Sequence, residues 1–376
     1  MNWSKAVPVV ASRPRTPVQN GQEPAKSRNV LVVDDSAVAR LIVQRVINET
    51  SNFKVVGHAG SAEEALEKLK TLSVDLVILD IEMPGMDGIA AIPHIIRGSR
   101  NAPILIVSSH CHGGAKSSVR AMAMGASDLI LKPDSPALNE QFAAALLEKM
   151  ERLTEQVTSQ ERVSQPQSKA TDYTGTGIAV RRPVKCLAIG ASTGGIHALS
   201  TFFSELPREI KMPILVTQHL PADFIVYFAR QLHKASGRKT IPARDGQHVE
   251  GGEILISSGD AHLTVTRSDG DVRVCFDYER THNGFCPSVD PMLSSVAEVY
   301  GSGAVGIVLT GMGRDGVAGA EVLAKAGGEI LTQDRESSVI WGMPGAVARR
   351  GIANVIAPPI DLANHVAHRA RTFGCK

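Results

Sequence analysis

Cysteine is scarce and unpaired in this chain: Cys111, Cys186, Cys275, Cys286 and Cys375 are scattered, odd in number and form no CxxC. That pattern excludes a disulfide framework and favours free thiols in a reducing compartment. The run HCH at 110–112 is not read as a metal site, because adjacent residues rarely converge on one ion without distant partners. Charge of one sign is missing too. With 40 Lys and Arg against 38 Asp and Glu, the net charge of +2 gives no field that calls for nucleic acid or an anionic membrane. The amino terminus holds only a six-residue apolar run, AVPVVA at 6–11, interrupted by Pro8. It can serve neither as a signal core nor as a membrane span, so a cytoplasmic protein with no membrane insertion is expected. No internal repeat recurs at a fixed period.

What is present is apolar material for two cores: 43% hydrophobic and 21% charged residues in a chain of 376. Residues 1–28, rich in Pro, Ser, Gln and charge, read as a disordered tail. From 29 to 157, apolar runs (NVLVVDD, FKVVGHAG, VDLVILD, PILIVSS, DLILKP) alternate with helix-periodic stretches. Nearly all-apolar strands in alternation with helices predict a parallel sheet covered on both faces. Residues 158–183 are polar and proline-punctuated, and read as a linker. A second alternating unit fills 184–376, with HLTVTRS and DVRVCFD paired as a hairpin around SDGD. The expected fold class is α/β in two domains. The first is a five-fold βα unit of flavodoxin-like type; the second is a doubly wound parallel sheet with a small antiparallel hairpin.

In open parallel sheets the functional crevice lies at the carboxyl ends of the strands. In the first unit those ends deliver Asp34, Asp35, Asp80, Ser108 with Ser109, and Lys132. Three carboxylates in one pocket repel unless a cation joins them, and hard oxygen ligands suit Mg²⁺. A lysine opposite is then the counter-charge for an incoming anion. The chemistry this predicts is phosphoryl transfer onto Asp80. The pattern, with LDIEMPGMDG at 79–88, resembles the receiver domain of response regulators. The resemblance implies Asp34 and Asp35 as acidic metal-site residues, Asp80 as phosphoacceptor and Glu82 as donor of a backbone carbonyl to Mg²⁺. It also implies Ser108 as switch hydroxyl and Lys132 as phosphate partner. Three residues before the lysine that family usually carries an aromatic switch residue; here it is Leu129.

In the second unit, IGASTGGIHAL at 189–199 reads equally as a glycine-rich phosphate cradle or as a G-x-S-x-G turn presenting Ser192 as nucleophile. No P-loop lysine follows, and the next strand ends in His219 rather than an acidic ribose ligand. Asp315 emerges just past a later apolar strand. Three such ends share one edge of a parallel sheet, which favours a Ser192–His219–Asp315 nucleophilic triad, with N–H groups beginning at Thr193 for the oxyanion. Cys286 has no positioned base in its own segment and is not read as a nucleophile.

IGASTGG, QHLP, SSGDAHL, PSVDPML, LTGMGRDG and QDRESSVIWGMPGAV make 184–376 resemble the catalytic domain of the chemotaxis protein-glutamate methylesterases. The resemblance implies hydrolysis of glutamate γ-methyl esters on chemoreceptor cytoplasmic helices, with methanol released, and deamidation of receptor glutamines. It implies Ser192, His219 and Asp315 as the triad, Thr193 and Met312 beside it, and a chemotaxis histidine kinase as phosphodonor. No cofactor is expected for the esterase chemistry. Phe285 and Cys286 stand where that family often has a His-Arg pair, and PADF follows QHLP. The resemblance, together with the domain order, implies that the unphosphorylated receiver covers the esterase crevice and that phosphate on Asp80 releases it. A catalytically inert, phospho-controlled binding module and a generic esterase are the competing readings. A DNA-binding output is disfavoured by the α/β second unit and the near-neutral charge.

Overall fold

A computed structural model describes residues 27–83, 88–108, 112–132, 140–159, 183–281 and 284–374. Residues 1–26 of the expected tail and most of the expected linker lie outside these ranges, as do Ser109 and the side chains of the HCH run. Arg28, expected in the tail, opens the first strand because it pairs with Phe53.

The first unit alternates β1 (Arg28–Val33), α1 (Ala37–Asn48), β2 (Phe53–Ala59), α2 (Ala62–Leu69), β3 (Leu76–Asp80), α3 (Gly88–Gly98), β4 (Ile104–Ser108), α4 (His112–Ala123), β5 (Asp128–Leu131) and α5 (Glu140–Ser159). Its strands lie in the order β2-β1-β3-β4-β5, all parallel. Every residue of β3 and β4 is buried, which is why these runs are apolar throughout rather than alternating. Local chemistry sets the helix starts: Ser36 Oγ accepts the Ala39 N–H at 3.3 Å and Ser61 Oγ accepts the Glu64 N–H at 3.2 Å.

The second unit runs β6 (Cys186–Ala191), α6 (Gly195–Glu205), β7 (Ile214–Gln218), α7 (Ala222–Ser236), β8 (Thr240–Pro242), β9 (Ile254–Ile256), β10 (His262–Ser268) and β11 (Asp271–Asp277). It continues through α8 (Val289–Tyr300), β12 (Ala304–Val308), α9 (Val317–Lys325), β13 (Glu329–Gln333), α10 (Met343–Arg349), β14 (Val355–Ala357) and α11 (Pro359–Gly374). Seven parallel strands lie in the order β14-β13-β12-β6-β7-β9-β8, and β10 and β11 form a separate antiparallel hairpin. Asp269 and Gly270 both take positive φ in its two-residue turn, the geometry that matches strand twist. The sheet order puts β6 between β12 and β7, so the residues leaving these three strands meet at one edge.

Phe202 and Phe203 on α6 pack edge to face at 5.3 Å, and with Phe228 on α7 are fully buried. Each such ring stabilises the fold by about 1.5–3 kcal/mol. None of the described helices is long and apolar enough to cross a membrane.

Candidate active site

Ser192 leaves the end of β6 in the turn before α6. Gly194 takes φ +78° at the helix entrance, and a Cβ there would sit 2.6 Å from Val339, so glycine is required on both counts. The Ser192 N–H donates to Thr310 O at 3.0 Å, and the Gln218 side-chain amide donates to Ser192 O at 2.8 Å. These bonds fix the turn between β12 and β7. Gln218 lies in the QHLP stretch, but nothing in its spacing marks it as a support of the turn.

His219 follows β7. Its Nε2 lies 2.7 Å from Asp315 Oδ2. Asp315 is fully buried and accepts further bonds: from Ser288 Oγ at 2.6 Å, Val289 N–H at 2.7 Å and Gly316 N–H at 3.0 Å. Burial alone would raise its pKa, but His219, Ser288 and Val289 outweigh burial and hold the carboxyl down at about 2. An ionised carboxylate only accepts, so His219 Nε2 carries the proton and Nδ1 the lone pair. Nδ1 is buried and makes no hydrogen bond among the described residues, which leaves it available as a base. Ser288 is in turn placed by His262, whose Nδ1 accepts the Ser288 N–H at 2.9 Å while its Nε2 donates to Glu279 O at 2.8 Å. Neither Ser288 nor His262 was identified from the sequence. They sit in PSVD and SSGDAHL, and only their burial and bonding disclose their work.

Phe285 stacks on the His219 ring with centroids 4.6 Å apart and planes at 19°. The position where the His-Arg pair was missing thus carries an apolar lid on the imidazole.

A cavity of about 620 Å³ joins Ser192, Thr193, His219 and Met312 to Asp128 and Lys149 of the first unit. Across it, Thr193 Oγ1 donates to Asp128 Oδ2 at 3.1 Å and the Gly194 N–H donates to Ser127 O at 2.9 Å. His197 Nδ1 donates to Ala123 O at 2.9 Å, and α4 packs on α6 and α7. Met312 packs against the apolar cluster that contains Phe142 and Leu146 of α5. The first unit therefore sits directly on the turn that carries Ser192.

At the other site, ligand oxygens of Asp34, Asp35 and Asp80 all lie within 4.8 Å of one another. Asp34 and Asp80 are buried, and Lys132 Nζ reaches them at 3.3 Å and 2.6 Å. Burial would lower the Lys132 pKa, but the hydrogen bond and charge of Asp80, then of Asp34, hold it above the ordinary lysine value. Burial, with Asp80 adding to it, keeps Asp34 raised even against Lys132. One ammonium is too little positive charge for this cluster, and three hard oxygen donors fit a divalent cation such as Mg²⁺. The Glu82 N–H donates to Asp80 Oδ1 at 3.0 Å, which places the Glu82 backbone beside that cluster. Ser108 ends β4, fully buried; Ser118 on α4 gives its hydroxyl proton to Gly114 O at 2.7 Å, so Ser108 Oγ donates to Ser118 Oγ at 2.8 Å. Leu129 is buried in β5.

Residues 187–366 match the family profile of the CheB methylesterase, and residues 30–143 that of the response regulator receiver domain. The protein-glutamate methylesterase/protein-glutamine glutaminase of Maricaulis maris (strain MCS10) is 35% identical over 383 residues, covering 91% of this chain and 95% of the relative. The protein-glutamate methylesterase/protein-glutamine glutaminase 1 of Paramagnetospirillum magneticum (strain ATCC 700264 / AMB-1) is 35% identical over 360 residues, covering 90% and 94%. The catalytic domain of the Thermotoga maritima CheB methylesterase, a crystal structure, is 34% identical, covers 50% of this chain and 99% of its own, and gives a TM-score of 0.48. The chain belongs to the family of protein-glutamate methylesterase/protein-glutamine glutaminases, with a response regulator receiver joined to a CheB methylesterase domain.

Proposed function

We propose that this chain hydrolyses glutamate γ-methyl esters on the cytoplasmic helices of chemoreceptors, releasing methanol, and deamidates receptor glutamines at the same site. The observation that carries the reading is the His219–Asp315 pair at 2.7 Å, its base nitrogen buried and unengaged, beside the glycine turn of Ser192. His219 Nδ1 takes the Ser192 hydroxyl proton as Oγ attacks the ester carbonyl carbon. The N–H groups of Thr193 and Met312 are the donors for the oxyanion. His219 then returns the proton to the departing methoxide, or to the amide nitrogen leaving as ammonia. Water repeats the sequence, with His219 as base, to free the glutamate. Asp315 fixes the imidazole tautomer and stabilises the imidazolium. The unengaged Nδ1 is the resting geometry, which tightens on substrate binding.

In the receiver, Asp80 is the proposed phosphoacceptor, with the phosphoryl group supplied by a chemotaxis histidine kinase. Asp34, Asp35 and the Glu82 carbonyl would hold Mg²⁺ with Asp80; the ion supplies positive charge that offsets the incoming phosphoryl oxygens. Lys132 pairs with the phosphate and Ser108 donates to it. The unphosphorylated receiver occludes the esterase site through the Thr193–Asp128 and Gly194–Ser127 bonds.

The test is methanol release from methyl-labelled chemoreceptor membranes, with and without acetyl phosphate, beside Ser192→Ala and Asp80→Ala. Release that requires Ser192 and rises with the donor only when Asp80 is intact is the expected result. No release from cognate receptors, with Asp80 demonstrably phosphorylated, would favour the inert binding module.

A further inference from the structure

Two helices begin at the same point behind the triad. The Val289 and Asp290 N–H groups opening α8 donate to Asp315, at 2.7 and 3.3 Å. The Gly319 N–H in the first turn of α9 donates to Asp290 Oδ1 at 2.8 Å. The helix starts are pressed together: a Cβ on Gly319 would lie 2.5 Å from the Asp290 carbonyl oxygen. Helix amino ends carry positive potential, and here they face two carboxyls, Asp315 and Asp290. Asp315 accepts the Asp290 N–H while the Asp290 carboxyl accepts from Gly319, so the two carboxyls share the space between the helix starts. Two carboxyls in one such space titrate as a pair, so the ionisation of one controls the charge of the pair.

We propose that Asp290 is a positioning residue for the triad, whose ionisation sets the negative charge standing behind His219 through Asp315. This rests on the reading of His219 and Asp315 as the catalytic pair. Among the described residues the other ionisable groups near it are few. His219 lies across Asp315, and His262 accepts the Ser288 N–H. Arg314 precedes Asp315, while on α9 Glu321 is engaged by Arg350 at 3.1 Å and Lys325 stands at the far end of the helix.

Burial, against the pull of the Gly319 N–H, and then the charge of Asp315 push the Asp290 carboxyl up to about 6. Below that pH Asp290 is neutral and adds no negative charge behind the imidazole. Above it Asp290 is an anion and stabilises the imidazolium that forms as Ser192 loses its proton. Asp290→Asn keeps the oxygen that accepts from Gly319 and holds the position permanently neutral.

The experiment measures kcat/KM for methanol release by the full chain without phosphodonor, wild type against Asp290→Asn, from about pH 5 to about pH 8.5. The expected ratio of wild type to variant is roughly tenfold at the alkaline end, one pKa unit in the partner, and close to one at the acid end. A purely structural role gives the same ratio at every pH, and that result would overturn the proposal. Should the variant fold poorly, the Ser192→Ala full chain supplies a second measurement. The Asp290 ¹³Cγ and His219 ¹⁵Nε2 resonances are expected to share an inflection at about pH 6. A His219 resonance without the Asp290 inflection overturns it equally. Ser192→Ala and His219→Gln separate the two readings. If both retain the rate, the triad reading fails; if both are inactive and the ratio is flat, the Asp290 proposal alone fails.

Discussion

Asp128 opens β5 and offers one oxygen to two partners, Thr193 Oγ1 at 3.1 Å and Lys149 Nζ at 2.8 Å. Asp128→Ala removes the only side-chain acceptor that the receiver presents to Thr193 among the described residues. A hydrogen bond to a charged group contributes about 1.5–3 kcal/mol. The Asp128 side chain is 20% exposed, so solvent screening puts the lower end of that range nearer the mark. A loss of about 1.4 kcal/mol shifts the balance between covered and open forms roughly tenfold. The Gly194–Ser127 and His197–Ala123 bonds survive the substitution, so the release is partial. Unphosphorylated Asp128→Ala is therefore expected to release methanol several-fold faster than wild type and more slowly than a chain lacking residues 1–183. With saturating acetyl phosphate the two full-length proteins should converge. Asp128→Asn keeps an acceptor for Thr193 while losing the ion pair with Lys149, and should stay near wild type. An Asp128→Ala basal rate equal to wild type, with the deletion activated, would refute this bond as the latch. A deletion no more active than the unphosphorylated chain would refute occlusion altogether.

Four other outcomes follow from the same geometry. Phe285→Ala removes a ring stacked at 4.6 Å on His219, and at about 0.5–1.5 kcal/mol should cost roughly three- to tenfold in kcat/KM, while Phe285→Tyr retains the rate. Asp315 is held at about 2, below its ordinary value, so its stabilisation is fully present above about pH 4 and is lost as pH falls towards 2. Melting curves of wild type and Asp315→Asn should accordingly differ by about 2 kcal/mol near neutrality and draw together in that acid window. Lys132→Met takes away the ammonium 2.6 Å from Asp80 and is expected to abolish stimulation by acetyl phosphate with basal methanol release intact. Chelation of divalent metal should do the same in wild type, and stimulation that persists in EDTA would count against the Asp34–Asp35–Asp80 site.

Legibility in the sequence followed periodicity and position. The buried strands are legible as apolar runs, and their carboxyl ends single out Asp80, Lys132, Ser192, His219 and Asp315. The edge strands β8 and β14 did not, because three residues carry no period. The residues that support the proposed triad lie in motifs that give them no role: Ser288, His262 and Gln218 act through hydrogen bonds across 26 or 27 positions. The Thr193–Asp128 bond spans 65 positions and two domains, and no local pattern encodes it. Phe285 was legible only as a departure from the family; its stacking on His219 needs the fold to be seen.

Under the proposed occlusion, the covering contacts also give a receiver with Leu129 in place of an aromatic ring a route for its signal. β5 carries Asp128 at its first residue and is followed at once by Lys132, so one short strand joins the esterase latch to the phosphate partner. At about 3.3 Å per residue the two side chains stand roughly 13 Å apart along a rigid, hydrogen-bonded strand. A second route leaves the same site through β4. Ser108 donates to Ser118 on α4, and the end of that helix gives its Ala123 carbonyl to His197 beside the Ser192 turn. A phosphoryl group on Asp80, the proposed acceptor, would compete for both Lys132 and the Ser108 hydroxyl. It would therefore pull on the strand that holds Thr193 and on the helix that holds His197 together. Neither route passes through a ring at position 129, where a buried leucine has only to fill space.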